Sequence, residues 1–159
     1  MKVKDVMTKE NLKYCTSNTK VNEVAGIMKE TNCGFLPVVD KDKKVIGIIT
    51  DRDICLSLSD KRAKSPHTKK VEEIMTTSVH SISEDEKISE ALKKMRTCKI
   101  GRLAVVDKKG QLNGILTIHH FMTKVFAGEA DLDGLASSGE SISRTIDALN
   151  ARYKVNSSY

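Results

Sequence analysis

The sequence predicts a mixed α/β (α+β) fold in which one small unit is used twice. Two observations carry this. The first is repetition: "VKDVMT" (Val3 to Thr8) returns as "VEEIMT" (Val71 to Thr76), and "GFLPVVDKDKKVIGIIT" (Gly34 to Thr50) returns without a gap as "GRLAVVDKKGQLNGILT" (Gly101 to Thr117). About half of the positions in the longer pair are identical, which is strong for an internal repeat. The second is a change of hydrophobic period inside each copy, from helical spacing to short β-rich runs.

Each copy reads as β-α-β-β-α. A short amphipathic turn ends in Met-Thr. A strand is expected near Tyr14 to Thr16, and its counterpart near Val79 to Ile82. Val21, Val24, Ala25 and Met28 then recur at helical spacing, as do Ile88, Ala91, Leu92 and Met95. Thr19 and Ser83 are the expected start signals for these helices, and Gly34 and Gly101 the expected punctuation at their ends. "FLPVV" and "RLAVV" are β-rich runs. "DKDKK" and "DKKGQ" turn the chain, and "VIGIIT" and "LNGILT" return, which makes a hairpin in each copy. Closing helices are expected over Asp51 to Leu58 and Ile118 to Phe126. One such unit buries little surface by itself, so two copies packed sheet to sheet about a pseudo-twofold axis are expected to share a core.

The division of the chain follows. Residues 1–58 are the first repeat and residues 71–127 the second. Between them, residues 59–70 ("SDKRAKSPHTKK") are polar, contain Pro66 and read as a linker. Residues 128–159 form a tail that opens with a small, polar stretch. Ile142, Ile146, Leu149 and Tyr153 then give one apolar stripe on a short helix, which suits packing on the module itself, on a sister chain or on a target protein.

Composition bounds the function. The 159 residues are 39% hydrophobic and 30% charged, as a soluble globular chain is. Aromatic residues make up 4% and Trp is absent, so the core must be aliphatic. The net charge is +6, and the lysines come in short runs such as Lys41, Lys43 and Lys44, or Lys108 and Lys109. Such runs read as solvated surface. A nucleic-acid face would need gathered charge with aromatics or a groove-reading helix, and the sequence displays neither. The field still favours a small polyanion. Cys15, Cys33, Cys55 and Cys98 have no CxxC spacing and read as reduced thiols. The first residues lack the apolar core of a signal peptide, and no apolar run is long enough to span a bilayer. Together these point to the cytoplasm.

The order and spacing of "MT", "LPVVD" and "GIITDRD" resemble those of a tandem CBS-domain pair, or Bateman module, over roughly residues 1–127. The resemblance implies a regulatory module that binds an adenosine-containing ligand in the cleft between the repeats. AMP, ADP, ATP and S-adenosylmethionine are the ligands it implies, with roles in energy sensing and signal transduction. It also implies a homodimer and a separate target protein, here unknown, that reads a conformational change.

Residue chemistry agrees with this at one place. In "GIITDRD" a strand ends at Thr50 and a helix begins, and unpaired backbone N–H groups at a helix start attract phosphate. The Thr50 hydroxyl can donate to a phosphate oxygen. Asp53, on the first turn, can accept from both ribose hydroxyls, as acidic residues do in dinucleotide folds. Thr followed three residues later by an acid is equally a capping box, and the two roles are compatible. By resemblance, the adenine walls are Tyr14, Cys15 and Thr16 with Gly34, Phe35, Leu36 and Pro37, each of which could instead serve ordinary sheet packing. Arg102 replaces Phe35 in the second copy; the same resemblance implies a basic residue here that reaches across the cleft to phosphate, to which the planar multi-donor head of Arg is suited, the alternative being an exposed strand-start arginine.

The second copy keeps Thr117 but has His120 in place of the acid. A neutral imidazole offers one acceptor rather than a carboxylate's pair of oxygens, so a weaker second site is expected there. His119 and His120 point about 100° apart on a helix and have no ligand spacing with His67 or His80, so no metal is expected. No nucleophile–base arrangement or P-loop appears, so no catalysis is expected. The alternative to ligand sensing is a dimeric interaction scaffold with vestigial sites.

Overall fold

The computed structural model describes residues 1–59, 65–127 and 138–151. The middle of the expected linker, the polar start of the tail and Tyr153 lie outside the described residues. The elements come in the expected order. The first copy has β1 (Cys15–Thr16), α1 (Val21–Thr31), β2 (Phe35–Val39), β3 (Val45–Thr50) and α2 (Asp51–Ser57). The second has β4 (Ser81–Ser83), α3 (Ile88–Cys98), β5 (Arg102–Val106), β6 (Leu112–Thr117) and α4 (Ile118–Phe126), and α5 (Ser138–Ala151) follows in the tail. A 3-10 turn leads each copy, Val3–Asp5 and Val71–Glu73.

The strands form two three-stranded sheets, ordered β1-β2-β3 and β4-β5-β6. In the first, β1 runs parallel to β2 with Cys15 beside Val38, and β2 runs antiparallel to β3 with Phe35 opposite Thr50. In the second, β4 runs parallel to β5 with Ile82 beside Val105. In the first sheet, therefore, β2 starts and β3 finishes at one end, and the short β1 lies beside the last two residues of β2 at the other.

The helix signals differ from expectation. The residues before α1 and α3 are Lys20 and Lys87, and neither caps through its side chain. Thr19 instead turns its hydroxyl back to accept from the Thr16 amide at 3.0 Å. The Ser83 hydroxyl accepts from the Asp85 amide at 3.4 Å. Both residues stabilise the preceding turn, a competing use of short hydroxyl side chains. The helices end on left-handed Asn32 (φ 49°) and Lys99 (φ 53°), with the glycines two residues further on.

The chain packs into two compact units that do not coincide with its sequence copies. One, the carboxy unit, takes Met1–Glu10 and Ser81–Asp107 with the described residues from Asn113 onward; the other, the amino unit, takes Asn11–His80 with Lys108–Leu112. The leading turns have therefore changed places. Val3, Val6 and Met7 enter the core of the carboxy unit with Leu92, Met95, Leu103 and Phe121. Val71, with Ile74 and Met75 against it, joins Val24, Leu36, Val38 and Ile49 in the amino unit.

The repeated Met-Thr signals make this exchange. Thr8 and Ile115 trade backbone hydrogen bonds of 2.9 and 3.0 Å, and Thr76 and Ile48 trade two of 2.9 Å. Each Met lies over a glycine of the strand so joined: Met7 Sδ is 2.7 Å from where a Cβ on Gly114 would stand, and Met75 Sδ is 2.7 Å from that of Gly47. These glycines are required by close approach. Lys4 and Lys2 clasp Asp85 at 3.0 and 3.5 Å and hold the first leading turn in place.

A second exchange joins the hairpin turns. The Leu112 amide donates to the Lys43 carbonyl at 2.9 Å, and Gln111 Nε2 to the Asp42 carbonyl at 2.8 Å. The runs Lys41, Lys43, Lys44 and Lys108, Lys109 thereby meet in the amino unit, where all five are exposed. The sequence reading kept these runs apart; the turn pairing gathers them.

Candidate functional site

The end of the first sheet where β2 starts and β3 finishes brings Gly34, Phe35 and Thr50 toward one another, whereas Cys15 and Thr16 lie beside Val38 and Val39. Phe35 stands opposite Thr50. The Asp51 amide donates to the Gly34 carbonyl at 3.2 Å, fastening the start of α2 to the start of β2. Cys15, on the neighbouring strand, points its thiol at the Pro37 carbonyl, 3.8 Å away.

Thr50 and Asp53 form a complete capping box. Asp53 Oδ2 accepts from the Thr50 amide at 2.9 Å and from the Thr50 hydroxyl at 2.7 Å. The Asp53 amide in turn donates to Thr50 Oγ1 at 3.2 Å. Both side chains are half-buried. The Thr50 hydroxyl proton expected for phosphate is therefore directed at Asp53. Oδ1 of Asp53 takes part in none of these bonds, so one carboxylate oxygen remains for a further donor.

The remaining candidates divide by burial. Cys15 and Leu36 belong to the apolar core, at 4% and 1% exposure. Phe35 and Pro37 are buried in β2. Burial also pushes the Cys15 thiol up to about 12. Tyr14 is 41% exposed, so its ring is available to a ligand. Thr16 is exposed and shares a hydroxyl contact of 3.1 Å with Thr19.

Asp51 was missed by sequence reasoning. Its carboxylate lies against Gly34, with Oδ2 2.5 Å from where a Cβ on Gly34 would stand. Asp51 Oδ1 meanwhile accepts from the Arg52 amide at 2.8 Å. The first turn of α2 thus carries two carboxylates.

The carboxy unit repeats the frame with other side chains. Ile118 donates its amide to the Gly101 carbonyl at 2.9 Å. Thr117 caps α4 by accepting from the His120 amide at 3.0 Å. No acidic residue stands on the first turn of α4, so the reciprocal carboxylate bond of the first copy is absent. Arg102 is exposed at the start of β5, next to Gly101. Among the described residues, no three His, Cys, Asp or Glu side chains come close enough to hold a metal ion. No helix among them is long and apolar enough to cross a membrane.

Comparison with known proteins matches the CBS-domain family model to residues 3–60 and 71–127. The chain is 40% identical over 118 residues to the protein YlbB of Bacillus subtilis, covering 74% of this chain and 77% of that one. It is 34% identical over 122 residues to inosine-5'-monophosphate dehydrogenase of Methanocaldococcus jannaschii, covering 77% of this chain and 22% of that one. Among solved structures, the CBS-domain pair of protein MJ0100, in complex with 5'-methylthioadenosine and S-adenosylmethionine, is 33% identical with a TM-score of 0.69. That match covers 82% of this chain and 98% of the other. CBSX2 in complex with AMP is 26% identical with a TM-score of 0.70, covering 81% of this chain and 98% of that chain.

Proposed function

Because the chain belongs to the CBS-domain family and carries the domain twice, we propose that it is a non-catalytic regulatory module for an adenosine-containing ligand. The observation that carries this reading is the Thr50–Asp53 pair. Oδ2 of Asp53 is spent on the helix cap, while Oδ1 takes no part in it and can accept from a ribose hydroxyl. A carboxylate has lone pairs for both uses. The ribose clamp and the helix cap are then one device. Gly34 and Phe35 beside it, with exposed Tyr14, supply apolar and backbone surface for the base.

The ligands seen on relatives support the class. The MJ0100 pair holds 5'-methylthioadenosine and S-adenosylmethionine, and CBSX2 holds AMP. The ligand of this chain is therefore AMP, a related nucleotide or S-adenosylmethionine. His120 cannot reproduce the Asp53 clamp, so the Asp53 copy is the principal site. Ligand occupancy shifts the population of two conformations, and a target protein reads the change, within the limit set by differential affinity. A homodimer is part of this reading.

The test is a thermal-shift series with AMP, ADP, ATP, 5'-methylthioadenosine and S-adenosylmethionine. A ligand at 100 times its Kd adds about 2.7 kcal/mol, which raises the melting temperature of a chain this long by roughly 5 to 10 °C. Wild type and His120→Ala should shift with the same ligand, and Asp53→Ala should not. The scaffold alternative reads the Thr50–Asp53 box as a helix cap and nothing more. Absence of any shift across the series would select it.

A further inference from the structure

The start of α2 has spent its donors. The Asp51 amide donates to the Gly34 carbonyl at 3.2 Å. The Arg52 amide donates to Asp51 Oδ1 at 2.8 Å, and the Asp53 amide to Thr50 Oγ1 at 3.2 Å. Thr50 gives both its amide and its hydroxyl proton to Asp53 Oδ2. Unpaired N–H groups are what allow a helix start to hold an anion. From Thr50 to Asp53 every backbone N–H is paired, so the phosphate place expected there from the sequence is closed by the chain itself.

What remains at this turn is acceptor. Asp53 Oδ1 takes no part in the cap, and the Thr50 oxygen, its proton committed, presents only lone pairs. Asp51 adds a second carboxylate on the same turn, exposed, with Oδ2 lying against Gly34. Arg52, also exposed, is the one cation of α2, set in sequence between the two anions. The first turn of α4 carries no acidic residue, so this character belongs to the first copy.

We infer that the Asp53 site takes an adenosine derivative whose 5' end is neutral or cationic, a thioether or a sulfonium, and discriminates against a 5' phosphate. With Asp53 as the ribose clamp, the reading on which this rests, the free acceptors meet the ligand's hydroxyl donors. The 5' substituent hangs from the same sugar ring. A phosphate there meets two carboxylates and no backbone donor, so its charge loses water without gaining a partner. A sulfonium meets the same carboxylates as an attraction. Selectivity comes from what the site repels.

Isothermal titration calorimetry of the full chain with adenosine, AMP, 5'-methylthioadenosine and S-adenosylmethionine tests it, at one fixed ionic strength. The last two should bind about tenfold tighter than AMP or more, and AMP should bind no tighter than adenosine. Asp51→Asn removes one charge and should raise the affinity for AMP relative to adenosine by about threefold or more. Asp53→Ala should lose all four ligands. The wild-type comparison needs no variant, so a fold weakened in Asp53→Ala does not cloud it. AMP bound more tightly than adenosine by wild type, with both lost in Asp53→Ala, overturns the inference and leaves the Asp53 site standing. An AMP-to-adenosine ratio unchanged in Asp51→Asn overturns it equally. Equal affinities in wild type and Asp53→Ala, or no binding of any of the four, overturn the underlying reading instead.

Discussion

At the residue scale, two buried groups make predictions that need no ligand. Cys15 is 4% exposed and its thiol is pushed by burial up to about 12, whereas Cys55 is exposed on α2. The thiolate is the reactive form, so iodoacetamide at pH 8 should label Cys55 first and Cys15 last, read by peptide mass spectrometry. The sign of the stability effect follows. Between the ordinary value of 9.0 and about 12, the unfolded chain loses this proton and the folded chain keeps it. Stability therefore falls as pH rises through that window, and urea titrations of wild type and Cys15→Ala should converge at alkaline pH. Lys69 is the other group: 7% exposed, it donates its ammonium to the Ser57 carbonyl at 3.2 Å, at the last turn of α2. A cation there satisfies an orphan carbonyl and suits the helix end. Lys69→Met keeps the apolar stem and loses the bond, at a cost of about 1.5 to 3 kcal/mol, measurable by urea denaturation.

At the element scale, the exchanged Met-Thr segments set the demands on the two hairpins. A methyl group on Gly114 would meet Met7 Sδ at 2.7 Å and the Thr8 carbonyl oxygen at 3.0 Å; on Gly47 the corresponding distances are 2.7 Å and 3.3 Å. A sulfur at the end of a Met chain can move, but a carbonyl locked in paired hydrogen bonds cannot. Gly114→Ala should therefore destabilise more than Gly47→Ala, by an overpacking cost of about 1 to 3 kcal/mol. Thermal unfolding of both variants gives the order, and equal losses would mean that the methionines alone decide. The elements themselves were legible because their hydrophobic periods are clear: β2, β3, β5, β6 and α4 fall on the expected residues. Helix starts and stops were not, because a Thr or Ser near a helix start can serve the turn before it, as Thr19 and Ser83 do. The Thr50–Asp53 cap was legible because both halves of its box lie within four residues. The approach of Asp51 to Gly34 was not, because it closes a loop that local spacing does not encode.

At the scale of the whole molecule, the chain is two sequence copies that fold as two different units. Pattern could not reveal this, since Val3, Val6 and Met7 would look the same whichever core received them. The structure gives them to the carboxy unit, and gives Val71, Ile74 and Met75 to the amino unit. Fully burying a Val or Met side chain contributes roughly 1.5 to 3 kcal/mol, so each unit draws several kcal/mol from the other copy's leading segment. That is a large share of the roughly 5 to 15 kcal/mol that holds a domain together. A fragment of residues 1–70 should therefore lack cooperative thermal unfolding, although it contains the whole first copy. Residues 71–159 should behave likewise without the leading turn, and mixing the two fragments should restore the transition. Cooperative unfolding of either fragment alone would show that the exchanged turns decorate cores that are already complete. Restoration only on mixing would make the exchange the reason that one copy is never enough.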